Sequence, residues 1–466
     1  MFDLVVELDV NSKIPLYEQI YQFIKEEIKN GRITSKTKLP STRALSEHLE
    51  VSRSTIDMAY SQLVSEGYIE SKPYRGYFVS EISLLYDIKN KSDYKVYKEK
   101  SEKEEDLIDF SPRGIDLENF PFNSWRKISR GLLSADNKNL FDNCDIQGEW
   151  ALRETICTYL YEARGVHSRP DNIILGAGNE ILLMMLNRLF GEKCCIAMEN
   201  PTYISAYNVF KQNGNTVIPI SMDKSGISIS ELRECEAKIA YVMPSHQFPT
   251  GIVMPIRRRI ELLEWTNEDD ERYIIEDDYD SEFRYQGKPI PALQGLDTKG
   301  KVIYLGTFSK SIAPSIRMSY MVLPDELLYI LRNSKMFYSQ TVSKMDQMIV
   351  NEFIKDGYFE RHLNKMRSIY RAKHDLIITL LKEYKDKVNI YGENSGLHIM
   401  IKVNNSMTEE KLITKAKEAG VSVYGLSDYY IERKTNIKST LLVGFAKLSM
   451  EEIEEGIKKL VKVWRL

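Results

Sequence analysis

The chain has 466 residues, 43% of them hydrophobic and 28% charged, with 64 basic against 67 acidic side chains. That length and balance fit about three domains' worth of globular chain, and they exclude a disordered polymer, a collagen-like repeat and a small disulfide scaffold. No apolar run of the ~18 or more residues needed for a membrane-spanning helix occurs, and the acidic start has no secretory-signal character. The five cysteines are Cys144, Cys157, Cys194, Cys195 and Cys235; their odd number and lack of a C-x-x-C pair suit a reduced, cytoplasmic setting. The six histidines show no metal-ligand spacing, so no metal site is expected.

Residues 1–80 read as a compact helical unit. Leu16, Ile20, Phe23, Ile24 and Ile28 repeat at helical spacing, with Gly31 as a stop. Ser41 can cap a short second helix through Leu45 and Leu49. Ser52 can cap a third, with Ile56, Ala59, Tyr60 and Leu63 facing inward. Tyr68-Ile69 and Tyr77-Phe78-Val79 flank a basic tip, Lys72-Pro73-Tyr74-Arg75-Gly76, which predicts a hairpin wing. A helix start presenting Ser52, Arg53, Ser54 and Thr55 offers hydroxyl and guanidinium donors to base edges and phosphates. Arg43 and Arg75 can flank the groove, and Gly76 allows close backbone approach. Net charge over residues 31–80 is weak, with seven basic against five acidic residues. Taken singly, these arginines read as solvated surface charges.

The order of these residues shifts that reading. Leu39-Pro40-Ser41-Thr42-Arg43-Ala44-Leu45, Val51-Ser52-Arg53-Ser54-Thr55-Ile56, Glu66-Gly67-Tyr68-Ile69 and Gly76-Tyr77-Phe78-Val79 together closely resemble the GntR family of winged helix-turn-helix regulators. That resemblance implies that Arg43, Arg53, Ser54 and Thr55 contact double-stranded operator DNA, with Gly76 on the wing.

Residues 81–106 hold six Lys and eight Asp/Glu without Pro or Gly, and read as a linker that is not a loose tether. From 107 to 466, short apolar strands alternate with amphipathic helices, the pattern of an α/β domain. Ile173-Ile174-Leu175 meets Gly176-Ala177-Gly178-Asn179 and a helix start, where backbone N–H groups suit a phosphate. Tyr203, after Glu199-Asn200-Pro201-Thr202, offers a ring to stack on a flat ligand. Glu276-Asp277-Asp278-Tyr279-Asp280 sets carboxylates at a strand's C-terminal end, where α/β sites gather. The next strand runs into Thr307-Phe308-Ser309-Lys310-Ser311 and on to Arg317. A lysine among hydroxyls, followed by an arginine, suits an amine that engages a carbonyl cofactor beside its phosphate.

Together these elements resemble the fold-type I aminotransferases, which use pyridoxal 5′-phosphate (PLP). The order matches from Gly148 and Leu152-Arg153, through Arg164-Gly165-Val166 and Pro244-Ser245-His246-Gln247-Phe248-Pro249-Thr250-Gly251, to Arg317. The resemblance implies a three-layer αβα domain with a small C-terminal subdomain. It also implies that Lys310 forms the Schiff base, Asp277 pairs the pyridine nitrogen, Tyr279 contacts the phenolic oxygen and Tyr203 stacks on the ring. Gly178, Asn179, Thr307, Ser309 and Arg317 would hold the phosphate. His246 joins this cofactor set, because His246-Gln247 and the acidic segment resemble the MocR/GabR subfamily of transcription regulators. Fusion of a GntR head to such a domain resembles that subfamily over the whole chain. It implies a domain-swapped, head-to-tail homodimer whose larger domain senses an amine, an amino acid or PLP itself. The alternative is a catalytically active aminotransferase that also binds DNA.

Several positions depart from the aminotransferase pattern. Phe248 stands where those enzymes carry Asn, and Asn143 where a Tyr reaches the partner's phosphate. Asp277 and Tyr279 lie two residues apart, where three is usual. The carboxylate-forking Arg is missing from Leu441-Leu442-Val443-Gly444-Phe445, and Ser205 stands where a GABA-responsive relative has Arg. An unpaired buried carboxylate costs several kcal/mol, roughly a thousandfold in affinity. Ordinary α-amino acid turnover and a GABA-like effector are therefore not expected. Arg433, Lys434 or Lys438 are candidate substitutes for the missing anchor, and His398 is a candidate pocket wall.

Overall fold

The computed structural model describes Val6, residues 8–81 and residues 107–466, apart from Ala135, Glu192, Gln286, Lys288 and residues 335–338, 394–395 and 433–438. Most of the expected linker and the candidate anchors Arg433, Lys434 and Lys438 lie outside the described residues. Backbone contacts divide the chain into two compact units, residues 1–101 and 102–466.

The first unit holds helices α1 (Leu16–Lys29), α2 (Thr42–His48) and α3 (Arg53–Ser65), then strands β1 (Ile69–Lys72) and β2 (Gly76–Val79). Both expected caps form. Ser41 accepts from Ala44 N and Ser52 from Thr55 N, each at 3.2 Å, satisfying amides that a helix start leaves open. Ile20, Ile24, Ile56, Ala59, Tyr60 and Leu63 are wholly buried, and the Tyr60 hydroxyl finds Pro40 O at 3.0 Å. The hairpin pairs Lys72 with Gly76, and its tip needs left-handed backbone at Tyr74 (φ 60°) and Gly76 (φ 99°).

The second unit begins with β3 (Ile108–Asp109), α4 (Phe122–Leu132), α5 (Trp150–Arg164), β4 (Ile173–Gly176), α6 (Asn179–Phe190), β5 (Cys195–Asn200) and α7 (Ile204–Gln212). It continues with β6 (Thr216–Asp223), β7 (Gly226–Ile227), α8 (Ile229–Glu234), β8 (Ile239–Val242), α9 (Ile256–Asn267), β9 (Tyr273–Asp278), β10 (Val302–Thr307) and β11 (Ser319–Val322). The remaining elements are α10 (Asp325–Asn333), α11 (Lys344–Lys355), α12 (Tyr358–Leu381), β12 (Val388–Tyr391), β13 (His398–Val403), α13 (Glu409–Glu418), β14 (Val421–Ser422), β15 (Tyr424–Gly425), β16 (Thr440–Gly444) and α14 (Met450–Trp464).

The main sheet has the order β4-β11-β10-β9-β8-β5-β6-β7. Strands β10, β9, β8, β5 and β6 are parallel, while β11 is antiparallel to both of its neighbours. Every residue of β8, β9 and β10 is buried, which demands cover on both faces. Alternation then sorts the side chains: Ile303 and Leu305 join the cluster under α6 and α7, and Tyr304 points to the one containing α5, α11 and α12 residues. A smaller antiparallel sheet, β12-β13-β16-β15, completes the unit. The parallel strands all deliver their C-terminal ends to one edge of the sheet, and the start of α6 faces that edge. All five cysteines are free.

Candidate functional site: a lysine–carboxylate cleft and a helix-turn-helix

In the first unit, α2, a short turn and α3 form the helix-turn-helix. The Ser52 hydroxyl is engaged as a cap and also meets Ser54 Oγ at 2.8 Å and Thr55 Oγ1 at 2.7 Å. Arg53 and Ser54 are exposed on that first turn. Arg53 lies 3.7 Å from Asp57, and Arg43 lies 3.0 Å from Glu47. Exposed pairs of this kind hold little energy and are easily exchanged for phosphate. At the wing, Arg75 lies over the Phe78 ring (5.9 Å) beside Gly76, and Tyr74 is fully exposed.

In the second unit, Lys310 follows β10 and its chain reaches residues almost two hundred positions earlier. Its Nζ donates to Pro112 O at 3.1 Å and Arg113 O at 2.8 Å. Burial pushes its amine down to about 8, against the pull of Asp280 and with a further push from the Arg113 charge. Asp277 is the penultimate residue of β9 and is buried. It accepts from Asn179 Nδ2 at 3.2 Å and from the Tyr241 hydroxyl of the neighbouring strand β8. Burial pushes its carboxyl up to about 7, opposed by the Tyr241 hydrogen bond.

At the start of α6, Gly178 has φ 99°, and a Cβ there would stand 2.4 Å from Arg317 Nη2. Arg317 donates to Glu180 Oε2 (3.0 Å) and Ala177 O (3.3 Å). Asn179 Oδ1 is buried without a partner. At the end of β10, the Thr307 hydroxyl meets Ser309 Oγ at 3.1 Å and Ser319 Oγ at 2.9 Å. A guanidinium thus meets the start of α6, and a cluster of hydroxyls closes β10 just ahead of Lys310 in the chain.

The opposite wall is aromatic. Phe248 makes edge-to-face contacts with Tyr203 (6.2 Å), Tyr279 (5.8 Å), His398 (5.2 Å) and Tyr429 (5.1 Å). The Tyr279 hydroxyl lies 2.9 Å from His246 Nδ1, which also meets Asp280 at 2.9 Å. The Asp280 carboxylate accepts, so His246 donates from Nδ1, and its Nε2 is buried with no partner. His398 donates from Nε2 to Pro249 O at 3.0 Å, and burial pushes it down to about 3, so it stays neutral. Among the described residues no cluster of His, Cys, Asp or Glu is placed to hold a metal ion.

The sequence alone does not point to Tyr241 or to the Pro112 and Arg113 carbonyls, and Arg164, part of the aminotransferase-like order, is there without its partner Asp278, which it meets at 2.8 Å. A single polar side chain in the apolar strand Ile239–Val242 was the one local signal for Tyr241. The 112–113 carbonyls had none.

Residues 114–460 match the family "Aminotransferase class I and II", and residues 16–79 match "Bacterial regulatory proteins, gntR family". The chain is 42% identical to the HTH-type transcriptional regulator YdeL of Bacillus subtilis, covering 100% of both chains. It is 29% identical to the probable rhizopine catabolism regulatory protein MocR of Rhizobium meliloti, over 97% of this chain and 94% of that one. The kynurenine aminotransferase of Pyrococcus horikoshii, solved with PMP, superposes with a TM-score of 0.69 at 27% identity, over 77% of this chain and 91% of that one.

The residues present fit PLP. A buried carboxylate can keep a pyridine nitrogen protonated, a neutralisable amine stands close by, and Gly178 leaves open a cradle that any Cβ would fill. The orphaned Asn179 Oδ1 adds an unused acceptor at the same place. By fold and sequence, the chain belongs to the GntR-type regulators of the MocR/GabR kind, which carry a class I and II aminotransferase domain behind a winged helix-turn-helix head.

Proposed function

We propose that this protein is a PLP-dependent, cytoplasmic transcription regulator whose aminotransferase-like domain senses an amine, an amino acid or PLP itself. The observation that carries the reading is a buried Asp277 at the C-terminal end of β9, with the desolvated Lys310 amine just after the neighbouring strand β10, in a chain whose first unit is a helix-turn-helix. When bound, PLP supplies an aldehyde for an amine and a ring that withdraws electrons. Lys310 offers an amine that is partly unprotonated near pH 8, held in place by the 112–113 carbonyls. Asp277 keeps a proton on the ring nitrogen, and Tyr241 and Asn179 fix its orientation. Thr307, Ser309, Arg317, Gly178 and Asn179 hold the phosphate. Tyr203 stacks on the ring, and Tyr279 and His246 border its phenolic side.

Arg43, Arg53, Ser54, Thr55, Arg75 and Gly76 contact operator DNA, while Ser52 fixes the start of the helix that reads it. The working form is a head-to-tail homodimer with exchanged heads. A ligand alters DNA binding only if it favours one arrangement of the dimer over another. Operator affinity measured with and without PLP, and with and without added amines, tests the reading. Affinity indifferent to PLP and to every amine sinks it. Steady-state amino transfer to a keto acid would favour the enzyme alternative, and a monomer in sedimentation at all concentrations would remove the dimer.

A further inference from the structure

An amino acid in this cleft needs a counter-charge for its carboxylate, and β16 carries only Leu441, Leu442 and Val443 where an arginine would stand. The segment 111–114 brings a cation from another direction. Its backbone is pinned against the end of β16: Gly444 N donates to Phe110 O at 2.8 Å, and a Cβ on Gly444 would lie 2.2 Å from Ser111 O. On the other side the carbonyls of Pro112 and Arg113 accept from Lys310. Arg113 is therefore fixed, through its own backbone, beside the reactive amine. Its side chain is exposed and has no acidic partner among the described residues. Its positive charge is felt by Lys310, Tyr203, Tyr424 and Tyr429, groups drawn from three separate parts of the chain. Tyr203 and Tyr429 both pack on Phe248, so the cation and the aromatic wall share one space.

We propose that Arg113 is the carboxylate anchor of the effector site, and that the effector is a short amino acid whose amine is presented at Lys310. The inference rests on the PLP-regulator reading above. A guanidinium is a planar fork that matches a carboxylate with two parallel hydrogen bonds. The rings of Phe248 and Tyr429 take the apolar body of the ligand. An anchor at residue 113 replaces the one missing from β16 and leaves Ser205 free of that duty.

The test uses the full-length protein loaded with PLP, wild type beside Arg113→Gln and Arg113→Lys. The probes are glycine, L-alanine, L-valine, L-phenylalanine and β-alanine, each beside its matched amine without the carboxylate. Two readouts are followed: the visible PLP band and operator affinity. In wild type at least one amino acid should shift the band at a concentration at least tenfold below that of its matched amine. Arg113→Gln should erase that preference while its response to the matched amine stays within twofold, and Arg113→Lys should restore part of it. Operator affinity should follow the same order. Equal response of wild type to acid and amine, no response to any probe, or a preference that survives Arg113→Gln overturns the proposal. A wild-type protein that binds no PLP at all overturns the regulator reading itself, and Arg113's role with it.

Discussion

The Arg164 guanidinium lies 2.8 Å from the Asp278 carboxylate, and both side chains are almost completely withdrawn from water. Tyr304 donates to the same carboxylate at 2.6 Å, and Arg164 Nη2 also reaches Ser245 Oγ at 2.6 Å. The pair ties the end of α5 to the end of β9, one residue beyond Asp277. Removing one partner strands a charge in the interior, which costs about 3–5 kcal/mol. Arg164→Met should lose that much in chemical denaturation, and adding Asp278→Asn should return a large part. An unchanged midpoint for the single variant contradicts the assignment.

Lys310 gives a pH signature. Its amine is pushed down to about 8 by burial, from an ordinary 10.5. Only the unprotonated amine reacts with an aldehyde. The rate of PLP loading should therefore rise through pH 8 and level off above pH 9, and Lys310→Ala should lose the visible band altogether. A loading midpoint near pH 10 would show that the amine is not desolvated.

Glu199 should make the protein less stable in alkali. One of its oxygens accepts from Met243 N at 3.2 Å, while the other is buried without a partner. Burial raises its carboxyl from an ordinary 4.5 to about 8. The folded state thus holds a proton that the unfolded chain has released, between those two values. The stability this contributes is present below pH 4.5 and is lost as pH rises through 8. Glu199→Gln should melt a few degrees above wild type at pH 9, with the gap closing towards pH 5. Parallel melting profiles for the two proteins would be evidence against it.

The head separates recognition from folding. Arg53→Ala should weaken operator binding by about 1–3 kcal/mol and relax base preference, with the melting of the head unaltered. Ser52→Ala should instead cost about 1 kcal/mol of stability through the lost cap. Fluorescence anisotropy on operator DNA and thermal denaturation distinguish the two effects. Loss of stability in Arg53→Ala with no change in affinity reverses the assignment.

Much of this molecule is written in short stretches of its sequence. The caps at Ser41 and Ser52, the apolar stripe of α1, the wing around Gly76 and the strand-then-site order at Asp277 and Lys310 depend on periodicity and turn chemistry. Those act over a few residues, so they can be read without the fold. The partners of the site residues are another matter. Tyr241 reaches Asp277 because β8 lies beside β9 in the sheet, and Asn179 reaches it because α6 starts opposite that edge. Lys310 is held by carbonyls 197 and 198 residues away, and backbone carbonyls carry no side-chain signature. Arg113 looks like any surface arginine until that contact sets it beside the amine. Side-chain chemistry is local, but strand order, burial and the displaced protonation of Lys310, Asp277 and Glu199 arise only when distant segments exclude water together.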